Sequence, residues 1–148
     1  MLPTTAQRVP RHTDERINEQ IRQRTEIRIA YYAQHRDQID DRLGELEQEW
    51  DIERTLEANA ATLAFSGTVL GVLGSRRWLI LPAVVTGFLL QHALQGWCPP
   101  LPVFRRMGVR TRREIDTERH ALKVLRGDYH DVPEGDHDAA EILERVRR

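Results

Sequence analysis

The sequence predicts an all-α protein: a two-helix transmembrane hairpin between a long N-terminal amphipathic helix and a C-terminal amphipathic helix. Two observations predict this class. In a chain of 148 residues, 30% of them charged, residues 58–104 carry only Arg76 and Arg77. The flanking arms, in contrast, carry apolar residues at helical spacing between many charges. The predicted regions are an N-terminal helical arm (1–57), the hairpin (58–97) and a C-terminal arm (98–148).

The N-terminal arm is predicted to be one long helix. Thr13 or Asp14 can cap it, and it is expected to continue to about Leu56, with Gly44 as a point where it bends or breaks. Its apolar residues follow spacings of three and four, interrupted at Arg36, that favour packing on a partner helix: Ile29, Tyr32, Ile39, Leu43, Leu46 and Trp50.

The charge of the same arm argues against a nucleic-acid partner. Residues 1–57 contain 9 basic and 13 acidic side chains, and a negative surface repels an anionic ligand. The charge is either a solvated face or a docking surface for an unidentified protein, and the sequence leaves both open.

The first predicted span covers about residues 58–75. Its 18 uncharged residues reach about 27 Å as a helix, close to the ~30 Å of bilayer hydrocarbon. Small residues at spacings of four, three, four and three form one stripe along this helix, where another backbone can approach closely. The partner is either the second span or another copy of the chain. The stripe consists of Ala60, Ala64, Gly67, Gly71 and Gly74.

The second predicted span covers about residues 78–97 and is the more apolar of the two. Trp78 and Trp97 bracket it at a helical distance of about 28 Å, which suits indoles at opposite headgroup layers. Pro82 falls in the first helical turn, where its missing N–H breaks no hydrogen bond.

Arginines near the spans predict the orientation. Arg42 and Arg54 precede the first span, and five arginines follow the second, starting with Arg105 and Arg106. Only Arg76 and Arg77 occupy the turn. The positive-inside rule therefore predicts that both termini face the cytoplasm, with Arg105 and Arg106 as anchors at the headgroups.

The C-terminal arm is predicted to leave the bilayer in extended conformation, because prolines at positions 99, 100 and 102 oppose a regular helix. Thr111 and Glu114 form a capping-box pattern that opens an amphipathic helix over about 112–126. Residues 105–126 hold 8 basic and 3 acidic side chains, whereas residues 127–148 hold 3 and 7 and form an acidic tail.

Cys98 is the one candidate for chemistry. Nearby arginines favour a thiolate that accepts a persulfide or forms an intermolecular disulfide. A helix C-terminus opposes the thiolate, and His92, six residues earlier, is expected to be poorly placed as a base. The alternative is an unreactive interfacial residue.

No cofactor, metal site or catalytic constellation is predicted. The tail carries a group of possible metal ligands, but their spacing matches no ligand template. These residues are His130, Asp131, His137 and Asp138.

About half of the chain, from Glu53 to Asp128, resembles the YgaP-like inner-membrane domain. The resemblance lies in Gly67 and Gly71, the Arg76-Arg77-Trp78 turn, Gly87-Phe88-Leu89-Leu90, Gly96-Trp97-Cys98-Pro99 and Arg105-Arg106-Met107-Gly108. It implies a two-helix unit of the bacterial inner membrane that associates as dimers. Some members follow a rhodanese sulfurtransferase domain. This chain lacks the cysteine loop of that domain, so sulfurtransferase activity is not implied.

Three functional hypotheses follow. The favoured one is a small inner-membrane protein of no assignable reaction that acts through helix association in the bilayer, as a homo-oligomer, and through its cytoplasmic arms. The second is a redox or sulfur-relay accessory that uses Cys98. The third is a soluble helical bundle with residues 58–97 as its buried core, a view that the mean hydropathy of −0.56 favours.

Overall fold

The computed structural model describes residues 7–129, and every regular element in this range is helical. Seven α-helices follow one another along the chain. Short 3₁₀ turns at Arg36–Gln38 and Arg76–Leu79 precede the third and fifth of them. The helices are α1 (Arg8–Arg11), α2 (Glu15–Gln34), α3 (Ile39–Gln48), α4 (Ile52–Leu73), α5 (Ile80–Gln95), α6 (Leu101–Arg106) and α7 (Arg112–Arg126).

The prediction of one long N-terminal helix is wrong, because the helix is interrupted twice before Leu56. The first break is at His35, whose φ of −127° and ψ of 61° are not helical. The second follows Glu49, which is extended, and Asp51 then caps α4 by accepting a hydrogen bond from the Arg54 N–H. Gly44 lies inside α3 and interrupts nothing.

Helices α4 and α5 pack against each other and are joined by a turn that contains Arg76 and Arg77. A methyl group built on Gly67 would lie 2.7 Å from Pro82 Cδ and 3.0 Å from Leu81 Cβ, and one on Gly71 would meet the Leu79 side chain. The two glycines are buried. Close approach of the two helices therefore requires residues without side chains at these positions.

Helices α2, α3 and α7 pack together in a second group of helices, which we call the arm bundle. Its apolar core consists of buried residues from α3 and α7 with Tyr32 of α2 packed beside them. Helix α7 has the predicted bounds, and its capping box between Thr111 and Glu114 is formed. The core residues are Ile39, Leu43, Leu46, Ile115 and Leu122.

A network of ion pairs joins the three helices of the arm bundle. Glu118 is fully buried and accepts hydrogen bonds from Arg28 of α2, Arg42 of α3 and Arg110, which precedes α7. Burial raises the pKa of Glu118, but the hydrogen bonds from the three arginines outweigh it and lower that pKa to about 2. The carboxylate is therefore charged at neutral pH, and it ties three chain segments to one point.

Arg105 differs from its predicted role as a headgroup anchor. Its side chain is 1% exposed and binds Glu114 through two hydrogen bonds of 2.7 and 2.8 Å, while a third bond reaches Asn18. Arg105 lies in the last turn of α6 and points into the protein. The guanidinium links α6 to α2 and α7 and is not available to lipid.

The expected extended exit from the hairpin is also wrong. Helix α6 begins at Leu101, directly after Pro100, and Pro102 occupies its first turn. A proline is tolerated in the first turn, because the N–H it lacks would have no partner there. The prolines therefore start a short helix.

Two helices of the described range are long and apolar enough to cross a bilayer, one ending at Leu73 and one at Gln95. Only 17% and 6% of the residues in their most apolar windows are buried inside the protein. The apolar surface of the hairpin is therefore mostly uncovered.

Candidate functional site

A cluster of polar side chains lies at the base of the hairpin, where α1, α4 and α5 meet. We call it the Glu53 site. It combines Arg8 of α1, Glu53 in the first turn of α4, His92 in the last turn of α5, and Cys98 just beyond α5.

Glu53 is the centre of this site. Its carboxylate accepts a hydrogen bond of 2.8 Å from Arg8 Nη2 and lies 2.8 Å from His92 Nε2. Burial raises the pKa of Glu53, but the hydrogen bonds from His92 and Arg8 outweigh it and lower that pKa. Arg8 also donates to the carbonyl of Ala93, so one guanidinium bridges the start of α4 and the end of α5.

Gly96 shapes the site by ending α5. Its φ of 81° is left-handed, and a methyl group there would lie 2.5 Å from Arg8 Cβ and 2.8 Å from the Arg8 carbonyl. Both the backbone conformation and the approach of α1 therefore require glycine. The turn reverses the chain and brings Cys98 back toward the end of α5.

The prediction that His92 is poorly placed relative to Cys98 is wrong for this reason. Six residues of continuous helix would separate the two side chains, but the helix ends at Gln95 and the chain folds back. This turn places the Cys98 thiol near the His92 imidazole. Nδ1 of His92 is buried and has no hydrogen-bond partner in the described part of the chain.

Cys98 also faces a cavity between α4 and α5. The thiol is 4% exposed and packs with Val9, Ile52, Leu56 and Leu101. The cavity has a volume of about 200 Å³, and its walls are almost entirely apolar, including Leu63, Val85 and Phe88. Any reagent that reaches the sulfur by this route crosses apolar surroundings.

The arrangement has the elements of an activated nucleophile. A carboxylate that binds one imidazole nitrogen favours the tautomer with the proton on that nitrogen, so Nδ1 of a neutral His92 carries the lone pair. That lone pair can accept the proton of a neighbouring thiol. Glu53 then stabilises the imidazolium that forms, and Arg8 keeps Glu53 ionised.

The predicted packing and anchor residues lie in several environments. Gly67 and Gly71 contact the 3₁₀ turn and α5, Ala60 and Ala64 are half-buried, and Gly74 is the exposed C-cap of α4. Trp78 is exposed, Trp97 packs on the cluster around Cys98, and Arg106 is exposed. Residues 130–148 lie outside the described range, and so does the predicted group of possible metal ligands.

Arg8 and Glu53 are the members of the site that the sequence did not reveal. The sequence assigned no role to Arg8, and Glu53 was one of many charges interpreted as a solvated face or a docking surface. One usable signal was present: His92 is an ionisable residue in a strongly apolar helix, and such a residue generally has a polar partner.

Comparisons of the chain with family models, with curated proteins and with solved structures found no match. The resemblance to the YgaP-like domain stays a prediction.

Proposed function

We propose that the protein is a two-span protein of the bacterial inner membrane, similar to the YgaP-like domain, that holds the arm bundle at the cytoplasmic face. The observation that carries this proposal is the outward apolar surface of α4 and α5. Phe65, Val72 and Leu73 on α4 are 71%, 74% and 82% exposed, and Ile80 and Leu90 on α5 are 67% and 62% exposed. Such a surface needs lipid or protein to cover it.

The hydroxyl groups of the hairpin bond within their own helices, as a hydrocarbon environment requires. Thr62, Ser66, Thr68 and Thr86 each donate to the carbonyl oxygen four residues earlier, at 2.7 to 2.8 Å. In lipid no water is present to satisfy a hydroxyl group, so a donor that bonds within its own helix avoids the cost of an unpaired polar group. A soluble bundle with residues 58–97 as its core would instead bury the outward apolar surface of α4 and α5.

The orientation rests on the arginine count, with Arg76 and Arg77 in the periplasmic turn and the larger number beyond α5. The arm bundle then lies in the cytoplasm with both termini.

The membrane proposal is tested with carbonate-washed membranes and thiol labelling. Ser75→Cys in the turn and Gln48→Cys at the end of α3 are each made in a Cys98→Ser background. We expect the protein to stay in the washed membranes. A membrane-impermeant maleimide should label Ser75→Cys in cells with a permeable outer membrane, and Gln48→Cys only after lysis. Release by carbonate contradicts the membrane location, whereas the reverse labelling contradicts only the orientation.

We also propose self-association as a dimer in the membrane. Because Gly67 and Gly71 are covered by the protein's own Leu79, Leu81 and Pro82, the contact between copies falls on the outward face. Ala83 and Gly87 of α5 are exposed small residues four positions apart there, and nothing lies within 4 Å of a methyl group built on Gly87. Gly87→Leu should lower cross-linking between copies. Unchanged cross-linking contradicts this face.

The contact between His92 and Cys98 favours a second candidate function, a sulfur relay. The Cys98 thiolate attacks the outer sulfur of a persulfide donor. A new S–S bond forms on Cys98, the S–S bond of the donor breaks, and the donor leaves as a thiol with the proton that His92 took from Cys98. No net oxidation occurs.

The relay is tested by incubating the membrane-embedded protein with a low-molecular-weight persulfide and measuring the gain of one sulfur atom by mass spectrometry. His92→Gln should slow the transfer by about 10²-fold or more, the usual contribution of a positioned base. His120→Gln, which changes an exposed histidine of α7, is the control. An unmodified Cys98, or equal rates in the two variants, contradicts the relay.

A further inference from the structure

A small pocket rich in arginine lies in the arm bundle, away from the Glu53 site. We call it the arginine pocket. It has a volume of about 150 Å³ and is bounded by α2, α3 and the loop between α6 and α7. Its polar lining consists of Arg24, Arg28, Arg42, Arg110 and Glu49.

The pocket has an excess of positive charge. Three of its four arginines, Arg28, Arg42 and Arg110, pair with the carboxylates of Glu118, Glu49 and the exposed Glu45. No ion pair of Arg24 occurs within residues 7–129. Four guanidinium groups therefore face three carboxylates.

Several donors at the pocket lack an acceptor within the described residues. Arg110 uses all three of its nitrogens on Glu49 and Glu118. Arg28 bonds through Nε and Nη2 and leaves Nη1. Arg42 bonds through Nε and Nη1, and its Nη2 is 4.0 Å from Glu49, too far for a hydrogen bond. Arg28 and Arg42, which keep these unpaired donors, line the same small cavity as Arg24.

The loop between α6 and α7 lies close to Arg24 at the pocket. Gly108 has a left-handed φ of 91°, and a methyl group there would lie 3.4 Å from Arg24 Nη1. The neighbouring Met107 is 71% exposed and follows α6, the short helix that leaves the hairpin. The pocket is therefore polar inside with an apolar residue at its edge, on the segment that directly follows the proposed membrane span.

We infer that the arginine pocket binds a phosphate-type oxyanion. Guanidinium groups donate parallel hydrogen bonds that match the oxygens of a phosphate, and an anion would neutralise the excess charge. The anion is either the phosphate of an anionic lipid headgroup, with Met107 against the acyl region, or free phosphate from the cytoplasm. This site is independent of the thiol chemistry and does not require the membrane proposal.

The test uses the full chain purified in nanodiscs and measures the thermal unfolding midpoint. One arm titrates inorganic phosphate in zwitterionic nanodiscs, with chloride at equal ionic strength as the reference. The other compares zwitterionic nanodiscs with nanodiscs that contain phosphatidylglycerol. The test variant is Arg24→Gln. The matched control is Arg16→Gln, an exposed arginine of the same helix about 12 Å away along its axis.

We expect the wild type and Arg16→Gln to be stabilised in one of the arms beyond the chloride reference. Arg24→Gln should need about fivefold more ligand for the same shift, as expected for the loss of one guanidinium contact. A shift with phosphatidylglycerol alone identifies the lipid as the source, and a shift with phosphate identifies the free anion. Equal responses of Arg24→Gln and wild type in both arms overturn the site, and so does the absence of stabilisation in both arms, with phosphate no better than chloride and phosphatidylglycerol no better than zwitterionic lipid. If the protein proves soluble, the phosphate arm is run in plain buffer.

Discussion

The apolar side chains point in opposite directions in the hairpin and in the arm bundle. In the hairpin the apolar residues point outward, and the contact between α4 and α5 is made at Gly67 and Gly71. In the arm bundle the apolar residues point inward, and a buried carboxylate holds three arginines. One chain thus contains two helical regions that are built on different rules.

The difference teaches which force holds each region together. The hairpin gains little from burying apolar surface between its helices if lipid surrounds it, so close backbone contact must stabilise it. The arm bundle gains from its apolar core, and the charge network fixes which helices meet. A substitution that removes charge should therefore damage the bundle, and one that adds volume should damage the hairpin.

The largest expected effect comes from Glu118→Gln. This change leaves Arg28, Arg42 and Arg110 without the carboxylate they share, and removing one partner of a buried ion pair typically costs about 3 to 5 kcal/mol. Urea titration in detergent micelles, followed by circular dichroism, measures the free energy of unfolding of the bundle. Glu45→Gln is the control, because this side chain is exposed and binds only Arg42, which is worth at most about 1 kcal/mol. Equal losses in the two variants would mean that burial of Glu118 has no energetic role.

Lowering the pH should remove the stabilisation by the Glu118 carboxylate without a mutation. The pKa of Glu118 is lowered from 4.5 to about 2, so its stabilisation is fully present above pH 4.5 and is lost as the pH falls toward 2. The loss is on the order of 3 kcal/mol. The difference in the free energy of unfolding between the wild type and Glu118→Gln should therefore shrink by about 2 kcal/mol between pH 7 and pH 3. A constant difference between the two proteins over this range would contradict the assigned ionisation.

The next largest effect is expected in the hairpin, where Gly67 lies at the contact between α4 and α5. Gly67→Ala places a methyl group against the Pro82 ring and Leu81 Cβ, atoms close to the backbone that cannot move cheaply, and overpacking of this kind costs about 1 to 3 kcal/mol. Cysteines introduced at Leu63 and Phe88, which line one cavity, report the approach of α4 and α5 through their cross-linking rate in a Cys98→Ser background. We expect a several-fold slower rate.

Thr68→Ala is the control for this measurement, since Thr68 is exposed on the same helix and its hydroxyl donates only to the Ala64 carbonyl of that helix. The stability of the arm bundle should be unchanged in both variants. An unchanged cross-linking rate in Gly67→Ala would show that the two helices are not held by this contact.

The sequence predicted those features that depend on local pattern. The start of α7 follows from the capping box at Thr111 and Glu114, and the two apolar helices follow from the length of uncharged chain. The break at Glu49 escaped prediction because the apolar spacing continues across it, from Leu46 to Trp50. The spacing is interrupted at Arg36, next to the break at His35, and this interruption was the available signal for the first break.

The candidate site was harder to predict because its members come from three segments. Arg8 lies 45 residues from Glu53, and Glu53 lies 39 residues from His92. No spacing rule connects charges at such separations. The position of Cys98 beside His92 depends on the left-handed turn at Gly96, and assuming a continuous helix gave the opposite geometry.

The smallest expected effect is the loss of the cap on α7 in Thr111→Ala. The Thr111 hydroxyl accepts a hydrogen bond of 3.3 Å from the Glu114 N–H, and removing an N-cap of this type typically costs about 1 kcal/mol. The loss should stay near that value because the other half of the capping box survives: Arg105 holds the Glu114 carboxylate, which still accepts from the backbone N–H of residue 111. Thr117→Ala, which removes an exposed hydroxyl bonded only to the Arg113 carbonyl on the same helix, should change the free energy of unfolding by a few tenths of a kcal/mol. If Thr111→Ala were as costly as Glu118→Gln, the bundle would depend on the start of α7 as much as on its buried charge, and the contrast with the hairpin would have to be redrawn.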